Sequence, residues 1–302
     1  SAPIELPGIP FSEKVLSSES LLKLEELPRS LLVVGGGYVG VEYACIFNSL
    51  GCKVSLVEMM DRILPNVDAE LTAILQRSMK RDGIEIKLGA KIERVSEKGA
   101  IVNGEETEAE KILVAVGRRP NFNKEEMERA GVKCERGIIV DDAMRTGAKN
   151  IYAVGDVVGK MMLAHVASAE GMVAAENIMG KNRRMDYSCV PSCVFSFPEI
   201  AVVGSSANDP SLKVGRFPFA ASGKARAMGE TEGMVKVYAR DGIIAGAGII
   251  GPHASDLIGE ACIAVRNKMK LSEITETIHP HPVLSEAFVE ACLDARGEAL
   301  NI

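Results

Sequence analysis

The sequence predicts an α/β protein with a doubly wound parallel-sheet domain, a small central domain and an α+β antiparallel domain. Three observations predict this fold. A short apolar run, Leu31–Val34, ends in a cluster of glycines and is followed by a helical pattern. Strand-like and helix-like segments then alternate to about residue 88, which is typical of a parallel sheet. From about residue 190, alternating apolar segments separated by turn residues indicate an antiparallel sheet.

The elements of the parallel domain follow from their length and from the residues that stop them. Leu31–Val34 is too short for a helix and suits a buried strand. The elements expected after it are helix Val39–Leu50, strand Val54–Val57, a helix from its N-cap Asp68 to Asp82, and strand Ile84–Leu88. Right-handed crossovers would join these strands. Residues 1–28 are rich in proline and are expected to be an irregular connector.

The rest of the chain predicts two further domains. Asn103-Gly104 marks a hairpin before a strand at Lys111–Val116, and the pattern then loosens until Ile151. The predicted elements of the last region are strands Val194–Val203, Lys213–Pro218, Met234–Ala239 and Ile243–Ile250, and helices Ser255–Lys268 and Ser285–Leu300. The expected domains are residues 1–118 (with 1–28 as the connector), 119–187 and 188–302.

Composition excludes several classes of function. The chain has 302 residues, 47% of them hydrophobic, and a net charge of −6 without a long basic run, so neither nucleic acid nor membrane is an expected partner. The start, Ser1–Glu5, has no initiator Met and no secretion signal. Seven scattered cysteines indicate reduced, buried thiols, and Cys189 and Cys193 are expected to be small core residues. We expect a cytoplasmic protein, or one of the mitochondrial matrix if the source is eukaryotic.

The glycine cluster carries the first chemical motif, Gly35-Gly36-Gly37-Tyr38-Val39-Gly40. Between a strand and a helix, this G-x-G-x-x-G pattern predicts a Rossmann-type site where a pyrophosphate lies at the helix N-terminus. Glu58, at the end of the next strand, is placed to bind the ribose hydroxyls of an adenosine. A 2′-phosphate would meet like charge there, which favours NAD over NADP. The alternative is a structural turn and a surface Glu.

Two further motifs are weaker when taken alone. Gly155-Asp156 follows a buried strand and is either a turn or a ligand-binding strand end. His279-Pro280-His281-Pro282 precedes Ser285, an expected N-cap, and Glu286. A His held by a carboxylate suits proton transfer near neutral pH. Metal ligation lacks a third ligand at a suitable spacing, and two exposed loop histidines remain the plain alternative.

Together, the three motifs in this order resemble the flavin-dependent pyridine nucleotide–disulfide oxidoreductases, over nearly the whole chain. The segment His279–Glu286 is similar to the dihydrolipoamide dehydrogenase form of the C-terminal signature. Glutathione reductases usually lack the first His. Mercuric reductases usually end in a vicinal Cys pair, which is absent from Gly297–Ile302.

The resemblance implies roles at matching positions. The NAD site would comprise Gly35, Gly36, Gly37, Tyr38, Val39, Gly40, Val41, Glu42, Glu58, Ile92 and Gly117. The flavin side would comprise Asp156 on the ribityl chain and Met162, Leu163, Ala164 and His165 beside the isoalloxazine. His281 would be the general acid/base, oriented by Glu286, whereas His279 has no expected carboxylate partner. The implied cofactors are FAD and NAD, and the implied partners are a second copy of the chain and the lipoyl domains of 2-oxo acid dehydrogenase complexes.

Two departures from the family pattern qualify these expectations. The family's N-terminal portion, with its own glycine motif and a C-x-x-x-x-C disulfide, is not within the 302 residues, so we expect weak FAD binding by this chain. The segment Ser205–Leu212 is also shorter than usual, and two explanations stay open: residues missing from it, or a true deletion. Two other functions stay open: a related reductase of mercuric or soluble transhydrogenase type, and a non-catalytic nucleotide-binding or dimerisation module.

Overall fold

The computed structural model describes residues 1–206 and 209–301. The chain forms two compact units. The small unit contains Ser1–Glu5 and Gly117–Tyr187, and the large unit contains Leu6–Val116 and Ser188–Ile302. The expected shortening at Ser205–Leu212 falls partly on residues 207 and 208, which lie outside the described residues. The three-domain division stays a prediction.

Strands and helices alternate over residues 15–87, and the rest of the chain has runs of consecutive strands and of consecutive helices. The strands are β1 (Ala2–Pro3), β2 (Val15–Leu16), β3 (Ser30–Val34), β4 (Lys53–Val57), β5 (Glu85–Lys87), β6 (Ile92–Val95), β7 (Gly99–Val102), β8 (Glu105–Glu108), β9 (Lys111–Val114), β10 (Arg118–Arg119), β11 (Ser192–Val194), β12 (Glu199–Gly204), β13 (Lys213–Pro218), β14 (Met234–Arg240) and β15 (Ile243–Gly251). The helices are α1 (Ser18–Leu21), α2 (Tyr38–Ser49), α3 (Ala69–Arg81), α4 (Lys124–Arg129), α5 (Ala164–Ile178), α6 (Gly223–Met228), α7 (Ala254–Arg266), α8 (Leu271–Thr275) and α9 (Glu286–Arg296).

A five-stranded parallel sheet forms the first part of the large unit, in the order β2-β9-β3-β4-β5. Buried Leu31, Val33 and Leu56 pack on one side of it, and Leu32 and Val57 pack in a second cluster with Ile112. The doubly wound parallel sheet is therefore confirmed. The expectation of an irregular connector over residues 1–28 was wrong in part, because β2 pairs with β9 at the sheet edge. A strand of two residues is too short to produce a periodic signal.

A second five-stranded sheet, antiparallel and in the order β11-β12-β15-β14-β13, forms the other part of the large unit. The predicted single strand Val194–Val203 was wrong, because β11 and β12 are two antiparallel strands with Val194 opposite Ile200. Phe195–Pro198 makes the reversal. Ser196, Pro198 and Glu199 interrupt the apolar run there, and Pro198 was the signal for the turn that the single-strand prediction overlooked. Asp241-Gly242, between the two strands predicted at Met234–Ala239 and Ile243–Ile250, turns β14 into β15.

Helix α3 connects the two sheets of the large unit through a buried ionic cluster. Asp68 caps the helix by accepting a hydrogen bond from Glu70 N at 2.8 Å. The same carboxylate accepts from Lys236 Nζ and from Tyr238 Oη, both at 2.6 Å. Burial opposes ionisation, yet the hydrogen bonds from Lys236 and Tyr238 hold the pKa of Asp68 below its usual value. At its other end, Arg81 Nη2 lies 2.6 Å from Glu232 Oε2.

The small unit is mostly irregular, with two helices that the sequence pattern did not reveal. Asn123 caps α4, and α5 runs from Ala164 to Ile178. Most apolar residues of α5 are alanines, so large apolar side chains at helical spacing are few and the signal is weak. Within the residues described, no helix is long and apolar enough to cross a membrane.

Candidate functional site

The glycine turn connects β3 to α2 in a conformation that only glycine supports well. Gly35 has a φ of +110°, and a Cβ there would lie 2.5 Å from Ala115 O. A Cβ on Gly40 would lie 1.8 Å from Gly35 O, so Gly40 permits the close approach of helix and turn. Around Gly37 nothing lies within 4 Å of the Cβ position, which leaves room for a ligand. The three glycines therefore serve different purposes: Gly35 makes the turn, Gly40 allows the close packing of the helix, and Gly37 leaves open space.

Glu58 lies beside this turn and is held by it. One carboxylate oxygen accepts from Gly36 N at 2.6 Å, and the other accepts from Met60 N at 2.7 Å. Each oxygen keeps a second lone pair that can accept a ribose hydroxyl. The geometry therefore places a fixed negative charge next to the glycine turn.

A cavity of about 390 Å³ opens at the carboxyl ends of β3 and β4. Of the predicted NAD residues, Gly35, Gly37, Glu58 and Ile92 line it, together with Lys91. This is the edge of a parallel sheet where ligands bind in open α/β proteins. The cavity volume and the room at Gly37 fit part of a dinucleotide.

The other predicted NAD residues do not line this cavity. Gly36 donates its N–H to Glu58, which lines the cavity. The first turns of α2 contain Tyr38, Val39, Gly40 and Val41. Gly117 belongs to the small unit. Glu42 lies on α2, where its Oε1 accepts from Phe195 N at 2.9 Å. Partial burial raises the pKa of Glu42, and the hydrogen bond from Phe195 offsets only part of this effect.

The predicted flavin-side residues lie together in the small unit. Gly155–Val158 forms a 3₁₀ turn, and the carboxylate of Asp156, about one-third exposed, accepts a hydrogen bond from the Ser1 hydroxyl. Met162 and Leu163 lead into α5, which begins at Ala164 and His165 without a side-chain cap. Its first backbone N–H groups can therefore donate to a ligand, and Asp156 can accept from hydroxyl groups.

Glu170 supports this turn and was not predicted. It is 1% exposed, and it accepts from Gly155 N and from Tyr187 Oη, each at 2.6 Å. The hydrogen bond to Glu170 contributes, after burial, to the raised pKa of Tyr187. A lone Glu within a helix gives no sequence signal of such a role.

The predicted acid–base pair is formed in the large unit. His281 Nδ1 lies 2.8 Å from Glu286 Oε1, and Glu286 Oε2 accepts from Val283 N at 2.9 Å. Partial burial opposes ionisation, but the hydrogen bonds from Val283 and His281 hold the pKa of Glu286 below its usual value. The His281 side chain is 79% exposed. Ser285 occupies the N-cap position of α9, but its hydroxyl makes no capping hydrogen bond, since Glu286 itself binds the preceding backbone.

His279 has a carboxylate partner that the sequence did not indicate. Its Nε2 lies 2.8 Å from Oε1 of Glu260, which is on α7. The expectation that His279 lacks such a partner was wrong, because a contact across 19 positions leaves no local pattern.

The cysteines carry no disulfide and are all free. Cys189 and Cys193 are only partly buried, unlike the core residues that we expected, and Cys189 Sγ donates to Cys262 O at 3.2 Å. Over the described part of the chain, no cluster of three or more His, Cys, Asp or Glu side chains could hold a metal ion.

Two family models match the chain. Residues 1–171 match the pyridine nucleotide-disulphide oxidoreductase family, and residues 190–292 match the dimerisation domain of the same family. The chain belongs to the pyridine nucleotide-disulphide oxidoreductases.

Within that family the chain is similar to dihydrolipoyl dehydrogenases. It is 42% identical to the dihydrolipoyl dehydrogenase of Chlamydia pneumoniae and 42% identical to that of Geobacillus stearothermophilus. In both comparisons the whole chain aligns with 68% of the relative's length.

Solved structures of related proteins share the fold. LpdA from Mycobacterium tuberculosis superposes with a TM-score of 0.88 at 30% identity, over 96% of this chain and 67% of that one. The HOCl-induced flavoprotein disulfide reductase RclA from Escherichia coli, as its Cu(II) complex, superposes with a TM-score of 0.90 at 28% identity, over 96% of this chain and 70% of that one.

Proposed function

We propose that this chain supplies the NAD site and the acid–base pair of a dihydrolipoamide dehydrogenase. The overall reaction converts dihydrolipoamide and NAD⁺ to lipoamide, NADH and H⁺. The observation that carries the proposal is the exposed His281 ring with its Nδ1 on Glu286. A non-catalytic nucleotide-binding or dimerisation module has no need of such a pair, whereas oxidation of a dithiol needs a proton acceptor.

The proton chemistry follows from the ring geometry. A neutral His281 that donates from Nδ1 to Glu286 has its lone pair on Nε2, at the exposed side of the ring. Nε2 can take the proton of a thiol, and the imidazolium so formed is stabilised by the Glu286 carboxylate. Assistance of this kind is typically worth about 10²–10⁴-fold in rate, or about 3–5 kcal/mol of barrier.

The cofactors would be held mainly by backbone groups. FAD and NAD⁺, when bound, supply the redox chemistry: transfer of an electron pair and its uptake as hydride. The turn Gly35–Gly40 and the N-terminus of α2 would bind the pyrophosphate of NAD, and Glu58 its adenosine ribose. Ile92 would contact the adenine and Gly117 the nicotinamide. Asp156 would bind the ribityl chain of FAD, with Met162–His165 at the flavin ring.

The first proposed partner, a second copy of the chain, is inferred from the match to the dimerisation-domain family. The dimerisation domain at residues 190–292 supports a homodimer, in which we propose that His281 acts on the partner subunit's substrate. The exposure of His281 is compatible with such an arrangement. Lipoyl domains of 2-oxo acid dehydrogenase complexes are the proposed source of the dithiol.

The test is an activity measurement on a completed enzyme, which we define as this chain fused to the part of the G. stearothermophilus relative that lies outside the match. With FAD bound, it should reduce NAD⁺ with dihydrolipoamide. His281→Gln should slow that reaction by about 10²–10⁴-fold and leave the Kd for NADH nearly unchanged.

His253→Gln is the matched control, because His253 is exposed and pairs only loosely with Asp256, at 3.4 Å. Its activity should equal that of the unmodified fusion. A fusion that binds FAD and NADH stoichiometrically but does not oxidise dihydrolipoamide would contradict the proposal, as would near-normal turnover in His281→Gln.

A further inference from the structure

The segment between α8 and α9 contains two imidazole–carboxylate pairs, of which the proposed function uses one. At the C-terminal side of the segment, His281 pairs with Glu286. At the N-terminal side, His279 pairs with Glu260 of α7, and in each pair the ring nitrogen lies 2.8 Å from the carboxylate oxygen. The two rings differ in burial. The side chain of His279 is 14% exposed, whereas that of His281 is 79% exposed.

Both ring nitrogens of His279 face hydrogen-bond acceptors. Nε2 lies 2.8 Å from the Glu260 carboxylate, and Nδ1 lies 2.9 Å from the carbonyl oxygen of Thr277. A neutral imidazole has one N–H and would point a lone pair at one of these acceptors. The doubly protonated ring donates to both, so the geometry favours a charged His279.

The electrostatics of the site agree with this geometry. Burial opposes the charge, but the hydrogen bonds to Glu260 and to Thr277 O outweigh it and raise the pKa of His279 above its usual value. The charged groups that face the ring are Glu260, from α7, and Glu286, from α9. Both are acidic, so both favour the imidazolium.

The exposed His281 needs a second anchor. Its ring has one hydrogen bond to Glu286, and Ile278, on the other side of His279, is 97% exposed and contributes little packing. Pro280 and Pro282 restrict φ, but they do not attach the segment to the rest of the fold. The partly buried ion pair of His279 with Glu260 does attach it, one residue before Pro280.

We propose that His279, held as an imidazolium between Glu260 and the Thr277 carbonyl, is the positioning residue for His281. Glu260 and Glu286 then fix the two ends of the segment 279–286, and the His281 ring keeps the orientation in which Nδ1 donates to Glu286. This inference rests on the proposed acid–base role of His281 and deepens it. Misplacement of a catalytic group by about 1 Å can cost about 10²-fold in rate.

The first arm of the test measures ring protonation by long-range ¹H–¹⁵N NMR on the 302-residue chain. The chain has four histidines, so single His→Gln variants assign the signals. His279 should show the doubly protonated pattern at pH 7, and Glu260→Gln should convert it to the neutral pattern. Glu276→Gln, at an exposed Glu after α8, is the control and should leave the pattern unchanged. A neutral His279 at pH 7 would overturn the proposal.

The second arm measures the orientation of His281 and is also independent of turnover. In the unmodified chain the His281 signals should be those of the Nδ1–H tautomer, and His279→Gln should produce a mixture of tautomers. An unchanged His281 spectrum in His279→Gln would show that His279 does not position it.

The third arm uses the completed enzyme. His279→Gln and Glu260→Gln should each lower kcat about 10- to 100-fold with little change in the Kd for NADH, and the double variant should be no slower than the slower single variant. Additive losses, or normal kcat, would refute the proposal. If the unmodified fusion binds its cofactors but is inactive, the proposed function fails, while the two NMR arms still decide the state of His279 and its effect on His281.

Discussion

The glycine turn and the segment 279–286 position chemistry in different ways. The turn at residues 35–40 uses backbone groups and the absence of side chains, and the charged Glu58 beside it is tied to the backbone of Gly36 and Met60. The segment 279–286 uses side chains, and one of its two carboxylates comes from a distant helix. A backbone site is therefore specified by a short sequence, while a side-chain site depends on the tertiary structure around it.

The largest expected effect concerns the buried ionic cluster of Asp68, Glu70, Lys236 and Tyr238, which lies in the same large unit as both regions. Lys236 is 1% exposed and lies 2.6 Å from Asp68 and 2.8 Å from Glu70. Lys236→Met leaves a buried carboxylate without its counter-ion and should lower the free energy of unfolding by about 3–5 kcal/mol. Urea unfolding measures this change.

Lys213→Met is the control for that variant, since Lys213 is exposed on the neighbouring strand β13. Its effect should stay within about 0.5 kcal/mol. A loss of less than about 1 kcal/mol in Lys236→Met would show that the cluster does not stabilise the large unit.

Two glycine substitutions separate folding from binding at the turn. Gly40→Ala places a Cβ against the Gly35 carbonyl, so it should cost about 1–3 kcal/mol of stability and also weaken NADH binding. Gly37→Ala has room for its methyl group, so it should fold normally and lose only NADH affinity. Thermal unfolding and fluorescence titration measure the two quantities.

The control for Gly37→Ala is a glycine inside a helix with as much free space around its Cβ position. A Cβ at Gly259, on α7, meets nothing within 4 Å, and Gly259→Ala should leave both stability and NADH affinity intact or slightly improved. The backbone account of the turn fails if Gly37→Ala binds NADH as well as Gly259→Ala does.

The smallest expected effect is a pH dependence from the His279–Glu260 pair. The pKa of His279 is raised in the folded state. The stabilisation of the folded state by the charged ring is therefore fully present below the ordinary pKa of His, about 6.5. The stabilisation is lost as pH rises through the raised pKa. The stability difference between the unmodified chain and His279→Gln should therefore be greatest at pH 6, where it stays below about 1 kcal/mol, and should shrink as the pH rises.

His253→Gln is the control, because both His253 and Asp256 are largely exposed. Thermal unfolding from pH 6 to pH 9 compares the two variants. A stability difference for His279→Gln that grows with pH would contradict the raised pKa of His279.

The same contrast explains how much the sequence could predict. The strand–turn–helix at Leu31–Leu50, the capped helix after Asp68 and the pair His281–Glu286 depend on neighbours in sequence, and the structure contains them. The edge strand β2 was missed because a strand of two residues is too short to show an alternating hydrophobic pattern. Glu260 and Lys236 were missed because their partners are distant in sequence, and nothing local marks a charged side chain that will be buried.

We propose that Glu58 selects against a 2′-phosphate at the NAD site. A like-charge contact at about 4 Å costs about 1–4 kcal/mol, depending on the effective dielectric, so NADH should bind at least about fivefold more tightly than NADPH. Lys91 lines the same cavity and has the opposite charge, so Lys91→Gln should keep or widen the preference, whereas Glu58→Gln should narrow it several-fold. Titration of the chain and both variants with NADH and NADPH tests this directly. A clear preference for NADH that depends on Glu58 is the predicted result, and equal affinities, or no binding of either nucleotide, would contradict the account.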